Sequence, residues 1–337
     1  MAKGIVTPSR LFAACRIVFM PFEPVILFFL LGALAGLIRS DLRIPAVLYE
    51  SLSIFLLLAI GLKGGVELAR YPVSELVFAA ACVVLAGALI PLIAYPVLAY
   101  LGKLPRADAA SIAAHYGSVS VVTFAVGSTY LIGQGEVAEG YLTVFLVLLE
   151  FPALMIGIWL ARRGEGGGEN GRGWGKVLHE VFAGKSIVLL LGGLAIGWVA
   201  GSEGLKPLDK LFFDLFKGML AIFLLEMGLV AASRIGDLRR AGWFLAGFAI
   251  VMPLVSAALG ITTGLLLGLS VGGTTLLATL YASASYIAAP AAMRIAVPEA
   301  NPGLSIGAAL GITFPFNLLV GIPAYHWLAT TLHGVFA

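Results

Sequence analysis

The chain consists mostly of long apolar stretches separated by short polar ones. A helix needs about 20 mostly apolar residues to cross a bilayer. Ten stretches approach this length, at residues 24–39, 45–69, 75–101, 109–132, 138–161, 185–201, 208–232, 241–268, 273–296 and 303–331. Charged residues and prolines mark the boundaries, as at Arg70 and Pro72. The pattern therefore predicts an all-α membrane protein with ten transmembrane helices.

The second half of the chain repeats motifs of the first half in the same order. The sequence LLGALAG at 30–36 returns as LLGGLAIG at 190–197, and FLLLAIGLKGG at 55–65 as FLLEMGLVAA at 223–232. Tyr-x-Ser-x-Ser begins at Tyr116 and again at Tyr281, and a Phe-Pro pair follows both Glu150 and Thr313. Five spans in each half would insert the second half upside down, an inverted repeat typical of secondary transporters. The alternative is chance similarity among apolar segments.

These repeats divide the chain at its one polar linker. The prediction is a first five-helix repeat at 1–162, a cytoplasmic linker at 163–184 and a second repeat at 185–337. The sequence RRGEGGGENGRGWGK at 162–176 has the glycine and charge content of a flexible aqueous segment. Residues 1–23 mix basic residues with an apolar stretch, which predicts a short amphipathic helix on the membrane surface or, alternatively, a frayed tail.

Charge and composition refine this picture. Only 12% of the residues are charged and 60% are hydrophobic, whereas a soluble domain has roughly 25% charged residues. Most lysines and arginines fall on the face that holds the linker, which predicts a multi-pass inner (plasma) membrane protein with both termini outside. The small net charge of +3 argues against nucleic acid as a partner. Two cysteines and four histidines without an i,i+4 pair indicate no transition-metal site.

The fourth and ninth stretches carry the most hydroxyl groups. Gly117 and Pro290 lie near their middles and weaken helical hydrogen bonding there. We therefore expect helices 4 and 9 to be broken and to cross near the bilayer midplane. Free N–H groups at the breaks would attract an anion, and hydroxyl and carbonyl oxygens would hold sodium. The alternative is that the hydroxyls bond back to their own helices.

Three further features of the sequence predict the roles of individual residues. Glu150 lies near the centre of the fifth stretch, where an unpaired carboxylate costs at least ~2.5–3.5 kcal/mol, so we interpret it as part of the site. Lys63 and Glu67 are four residues apart and predict a structural ion pair. The motifs Gly32-x3-Gly36 and Gly193-x3-Gly197 occupy matching places in the repeat and predict close helix contacts.

Five motifs together resemble the sodium-dependent bicarbonate transporter family over nearly the whole chain. They are IGLKGG at 60–65, YGSVSVVT at 116–123, EFPAL at 150–154, SRIGDLR at 233–239 and ANPGLSIGAALGITFP at 300–315. The resemblance implies ten spans in two inverted halves, with a gate unit from helices 1, 2, 6 and 7 and a core from helices 3–5 and 8–10. It also implies a homotrimer and, in some members, a cytosolic PII-like regulator.

The resemblance further implies which residues bind cargo. The substrate residues would be Gly117, Ser118, Ser120, Thr123, Ser283, Ser285 and Tyr286. The sodium residues would be Ser120, Thr123, Glu150, Ser283 and Ser285. The chain departs from the family pattern at three oxygen-bearing positions, which are Val122, Tyr286 and Ala288.

The leading hypothesis is a sodium-coupled symporter of bicarbonate or a similar small monovalent anion, working by alternating access. No cofactor is implied beyond the coupling ion. A second hypothesis is transport of another organic anion or a neutral metabolite, because Val121 and Val122 make the expected site more apolar. A passive facilitator is a third. A membrane-embedded enzyme would need a nucleophile, base or metal cluster within the spans, and the sequence offers none.

Overall fold

The computed structural model describes residues 23–163, 179 and 183–336, and it contains no β-strand within them. The predicted interfacial helix at 1–23 and most of the linker lie outside the described residues. The first half contains α1 (Pro24–Leu37), α2 (Ala46–Leu68), α3 (Val73–Pro96, extended by a π-helical turn at Val97–Leu101), α4 (Arg106–Gly117), α5 (Val121–Gln134) and α6 (Leu142–Arg162).

The second half has the same order of elements. It contains α7 (Lys185–Leu205), α8 (Phe216–Leu266), α9 (Val271–Ala282), α10 (Ala288–Ala296) and α11, which starts at Pro302–Ala308 and ends at Ile322–Phe336 after two π-helical turns. Gly242 divides α8 into two parts because its φ of 81° and ψ of 163° are not helical. Each half therefore contains three helical segments, an interrupted pair and a final helix.

Eight helical segments of the described chain are long and apolar enough to cross a membrane. The prediction of ten full spans is not confirmed, because α1 has 14 residues and α9 has 12. At 1.5 Å per residue neither reaches across the roughly 30 Å hydrocarbon layer. The chain is thus an all-helical, multi-pass membrane protein in which two predicted spans are shorter than expected.

Close glycine contacts join α1 to the first part of α8, and α2 to α7. A Cβ at Gly36 would lie 2.6 Å from Ala232 Cβ, and one at Gly61 would lie 2.7 Å from the Leu190 carbonyl oxygen. A Cβ at Gly32 or Gly197 would overlap a backbone carbonyl of the partner helix. The predicted contacts of both Gly-x3-Gly motifs are confirmed, and bare backbones explain how these helices approach so closely.

Candidate functional site

The two interrupted segments contact each other at their breaks. Helix α4 ends at Gly117 and α5 begins at Val121, whereas α9 ends at Ala282 and α10 begins at Ala288. The Ser120 N–H donates to Ser283 Oγ at 2.9 Å, and the Ser285 N–H donates to the His115 carbonyl at 2.8 Å. Residues 118–120 and 283–287 therefore form one buried junction, which we call the crossing.

The first break follows from local sequence. Gly117 packs tightly, since a Cβ there would lie 2.6 Å from Pro91 Cδ and 2.9 Å from Ala153 Cβ. Ser118 is extended, with φ −83° and ψ 163°. Ser120 then caps α5, because its Oγ accepts from the Thr123 N–H at 3.2 Å. The break predicted beside Gly117 is confirmed.

The second break lies earlier than predicted. The chain leaves the helix at Ser283, and Pro290 is the third residue of α10. A proline is tolerated there because the first N–H groups of a helix have no intrahelical partner. Ser285 Oγ accepts from the Ala289 N–H at 3.1 Å, so a serine hydroxyl rather than the proline defines the start of α10.

A side chain from α11 completes the second break. Asn317 Nδ2 donates to the Ala282 carbonyl, the last of α9, at 2.8 Å, and Tyr325 OH donates to Asn317 Oδ1 at 2.8 Å. Asn317 was not among the site residues predicted from the sequence. The sequence feature that could have identified it is an amide side chain within an apolar stretch, two residues after a Phe-Pro pair.

Another missed residue ties the first interrupted segment to the second half. Thr313 Oγ1 lies 2.7 Å from Tyr116 OH and donates to the Ala249 carbonyl at 2.7 Å. In the other half, Tyr281 OH donates directly to the Val83 carbonyl at 2.6 Å. The Tyr-x-Ser-x-Ser repeat thus marks two tyrosines that anchor their segments to a long helix of the opposite half, Tyr116 to α8 through Thr313 and Tyr281 to α3.

Four buried polar atoms in and around the crossing have no hydrogen-bond partner among the described residues. They are His115 Nε2, Ser118 Oγ, Glu150 Oε2 and Tyr286 OH. His115, Ser118 and Glu150 are each at most 1% exposed. Each unsatisfied group costs about 1–3 kcal/mol, and native interiors contain few of them. Their clustering indicates a place built to bind something polar.

Glu150 reaches the level of the crossing through α6. Ala153 is one helical turn further along α6 and faces Gly117 at the end of α4. Residues three apart lie on the same helix face, so Glu150 lies beside the segment that follows Gly117. Its carboxyl group therefore lies on the α6 face that meets the first break.

The predicted site residues fall into two groups. The hydroxyls of Ser120, Ser283 and Ser285 serve the backbone: Ser283 Oγ, for example, accepts from Ser120 and donates to the Leu280 carbonyl at 2.7 Å. Gly117 ends α4, and Thr123 is a buried first-turn residue of α5. The unpaired oxygens belong to Ser118, Glu150 and Tyr286. The structure brings together the six predicted residues that lie at the two breaks, which are Gly117, Ser118, Ser120, Ser283, Ser285 and Tyr286. For the three capping serines it supports the alternative that their hydroxyls bond to the backbone.

A large vestibule of about 670 Å³ opens on one side of the crossing. Helices α2, α5, α6 and α9 and the α7–α8 connection contribute to its walls, and Phe124 and Leu276 line it. Phe124 is one turn beyond Ser120 along α5, so the vestibule ends about one turn from the crossing. None of residues 118–120 or 283–287 lines it.

Charges in the vestibule are unevenly paired. Glu67 Oε2 is 3.1 Å from Arg70 Nη1, so the predicted Lys63–Glu67 pair is wrong. Lys206 Nζ lies 2.6 Å from Glu203 Oε2. Lys63 and Lys217 also line the vestibule, and neither forms an ion pair within the described part of the chain. Glu136, Glu139 and Asp209 line the same vestibule, so its wall carries as many acidic as basic side chains.

A second, smaller cavity of about 100 Å³ lies on the α4–α10 side of the crossing. His115 and Pro290 line it, and both are within a few residues of the breaks. The vestibule is lined instead from α5 and α9. The crossing therefore separates two cavities that share no lining residue.

Comparison with known proteins identifies the family. The family model of the Na+-dependent bicarbonate transporter superfamily matches residues 24–330, which confirms the resemblance inferred from the motifs. No curated protein matches the chain.

Proposed function

Because the chain belongs to the Na+-dependent bicarbonate transporter superfamily, we propose that it is a sodium-coupled symporter of bicarbonate or a similar small monovalent anion. The observation that carries this proposal is the set of unpaired buried oxygens at the crossing. Hydroxyl and carboxylate oxygens are the ligands that hard cations prefer. Ser118, Tyr286 and Glu150 supply such oxygens, and we assign the ion to them with Ser120, Thr123, Ser283 and Ser285 as the supporting frame.

The anion would be attracted to the crossing by a different feature, the helix N-termini that lie there. Helices α5 and α10 both begin at the crossing, so their N-termini carry partial positive charge from the aligned peptide dipoles. A sodium ion bound beside Glu150 would add to this positive field. Anion and cation would then stabilise each other, which is the physical basis of coupled binding.

Alternating access follows from the two cavities. We propose that in this conformation the vestibule is open to the outside of the cell. The other side of the crossing, where the smaller cavity lies, is then nearly closed. Movement of a core made of spans 3–5 and 8–10 against a gate made of spans 1, 2, 6 and 7 would reverse this arrangement. The inverted repeat, the inner-membrane location with both termini outside, the homotrimer and a PII-like regulator belong to the same proposal.

Uptake into proteoliposomes tests the proposal directly. Labelled bicarbonate would be supplied outside vesicles at mildly alkaline pH, with an inward sodium gradient or with potassium in its place. We expect accumulation above the external concentration only with the sodium gradient, and loss of accumulation when a sodium ionophore collapses it. Equal uptake with potassium would contradict sodium coupling, and saturable flux that never exceeds equilibrium would indicate a passive facilitator.

A second candidate is transport of a larger organic anion. The vestibule's 670 Å³ greatly exceeds the volume of bicarbonate, and it has an apolar floor that includes Phe124 and Leu276. Competition distinguishes the candidates: a panel of inorganic oxyanions and small carboxylates would be added in excess to the labelled bicarbonate assay. Inhibition by inorganic oxyanions alone supports bicarbonate, whereas sodium-dependent uptake of a labelled carboxylate in place of bicarbonate supports the second candidate.

A further inference from the structure

The small cavity beyond the crossing combines groups that the proposed function does not use. Its lining includes Ser111 and His115 of α4, Arg294 of α10 and Ser305 of α11. Its volume of about 100 Å³ is roughly three times the ~30 Å³ that one water molecule occupies in the liquid. It therefore has room for a small polyatomic ion as well as for water.

His115 lines this cavity and carries one polar atom without a partner among the described residues. Its Nδ1 lies 2.7 Å from the Ser111 carbonyl oxygen. A carbonyl only accepts, so Nδ1 carries the proton and Nε2 of the neutral ring is an acceptor. His115 is 1% exposed, and Nε2 has no hydrogen-bond partner among the described residues. The atom thus needs a donor that the protein does not provide.

Arg294 supplies the opposite chemistry. It lies in the last turn of α10, its side chain is exposed, and it forms no ion pair with a described carboxylate. A guanidinium has only donors and matches the paired oxygens of an oxyanion. A ligand that satisfies both groups needs an O–H for His115 and a charged oxygen pair for Arg294.

We propose that this cavity is a second binding site, separate from the crossing, for a small oxyanion that carries a proton. It rests on the proposed function, in which such an anion is the cargo. His115 and Arg294 then form a second binding site on the side of the crossing from which the cargo is released. The His115 carbonyl accepts from the Ser285 N–H, so this second site lies directly beside the crossing. Bicarbonate has the required O–H, whereas nitrate of similar shape and charge has none.

Nitrogen NMR of the histidines tests the site without requiring transport. The chain has four histidines, so ¹⁵N-histidine labelling of the full chain in lipid nanodiscs gives few signals, and a His115→Gln sample assigns one of them. At constant pH we expect saturable bicarbonate binding to shift the His115 Nε2 resonance, while nitrate at equal concentration leaves it unmoved. No shift with bicarbonate would mean that the cavity holds only water, and an equal shift with nitrate would refute recognition of the O–H; either result overturns the proposal.

Transport kinetics provide the second readout. The phenyl ring of His115→Phe keeps the shape but removes the acceptor, so we expect the maximal uptake rate to fall about tenfold, the loss of one hydrogen bond. The KM for external bicarbonate stays within about twofold, because entry occurs from the vestibule. His115→Gln restores an acceptor and recovers part of the rate. An unchanged maximal rate in His115→Phe overturns the proposal, and absence of uptake by the unaltered chain would refute the proposed function while leaving the NMR result to judge the site.

Discussion

The paired helices (α1 with α8, α2 with α7) and the crossing are both tightly packed, but different groups hold them together. In the paired helices, glycines bring backbone against backbone, as at Gly61 and Gly193. In the crossing, serine hydroxyls and N–H groups make directed bonds, and several polar atoms stay unpaired. Dispersion contacts without polar groups suit a scaffold, whereas unsatisfied polar atoms cost stability and are retained where they bind ligands. Substitutions in the two regions should therefore separate stability from transport.

The largest effect is expected from Gly197→Ala in the paired helices. The new Cβ would overlap the Leu62 carbonyl, and overpacking costs about 1–3 kcal/mol or more. We expect the Tm of the detergent-solubilised protein to fall by roughly 2–5 °C.

The matched control lies in the same helix. A Cβ at Gly192 has nothing within 4 Å, so Gly192→Ala should leave the Tm unchanged or raise it slightly through better helix propensity. Equal Tm losses in both variants would show that helix propensity, rather than the close approach, determines the result.

The next largest effect concerns the crossing. Glu150→Gln replaces a buried carboxyl group whose Oε2 is unpaired with an amide of the same shape, so stability should be equal or higher. Sodium-dependent uptake should nevertheless fall about tenfold or more, since a bond to a charged group contributes roughly 1.5–3 kcal/mol. Uptake rates and Tm measured on the same preparation check this, and a loss of Tm with unchanged uptake would place Glu150 in the scaffold.

Two serines of the crossing give a sharper contrast. Ser118→Ala removes an unpaired hydroxyl, so the Tm should hold or rise while uptake falls several-fold. Ser283→Ala removes the acceptor of the Ser120 N–H and should cost about 1–3 kcal/mol of stability. Thermal unfolding followed by tryptophan fluorescence distinguishes the pair, and identical behaviour of the two variants would refute the division into free and capping hydroxyls.

The smallest effect is expected in the vestibule. Lys63→Gln removes from its wall one ammonium group that forms no ion pair among the described residues, which should raise the KM for bicarbonate about two- to threefold at low salt, with less change at high salt. Lys185→Gln, at the start of α7 and away from the vestibule, alters net charge equally and should leave the KM unchanged. The same rise in both variants would indicate a general effect of net charge.

Much of the architecture was readable from apolar periodicity and repeats. The helical class and the contacts of the Gly-x3-Gly motifs were predicted because lipid exposure and close approach require particular residue types, whereas the family was inferred from the resemblance of five motifs. The second break was placed at Pro290, although the helix ends at Ser283. Proline only forbids one hydrogen bond, and in the first turn of α10 no such bond exists.

Sequence alone thus determined a helical membrane protein with hydroxyl-rich interruptions in matching places, because hydrophobicity and backbone preferences are local properties. Only the tertiary structure decided which hydroxyls are committed to caps and which remain free. Ser118 and Ser283 are equivalent in the repeat, yet of their two hydroxyls only that of Ser283 has bonding partners among the described residues. The deciding hydrogen bond joins residues that are distant along the chain: Ser120 and Ser283 are 163 positions apart, and no local pattern in either segment predicts their contact.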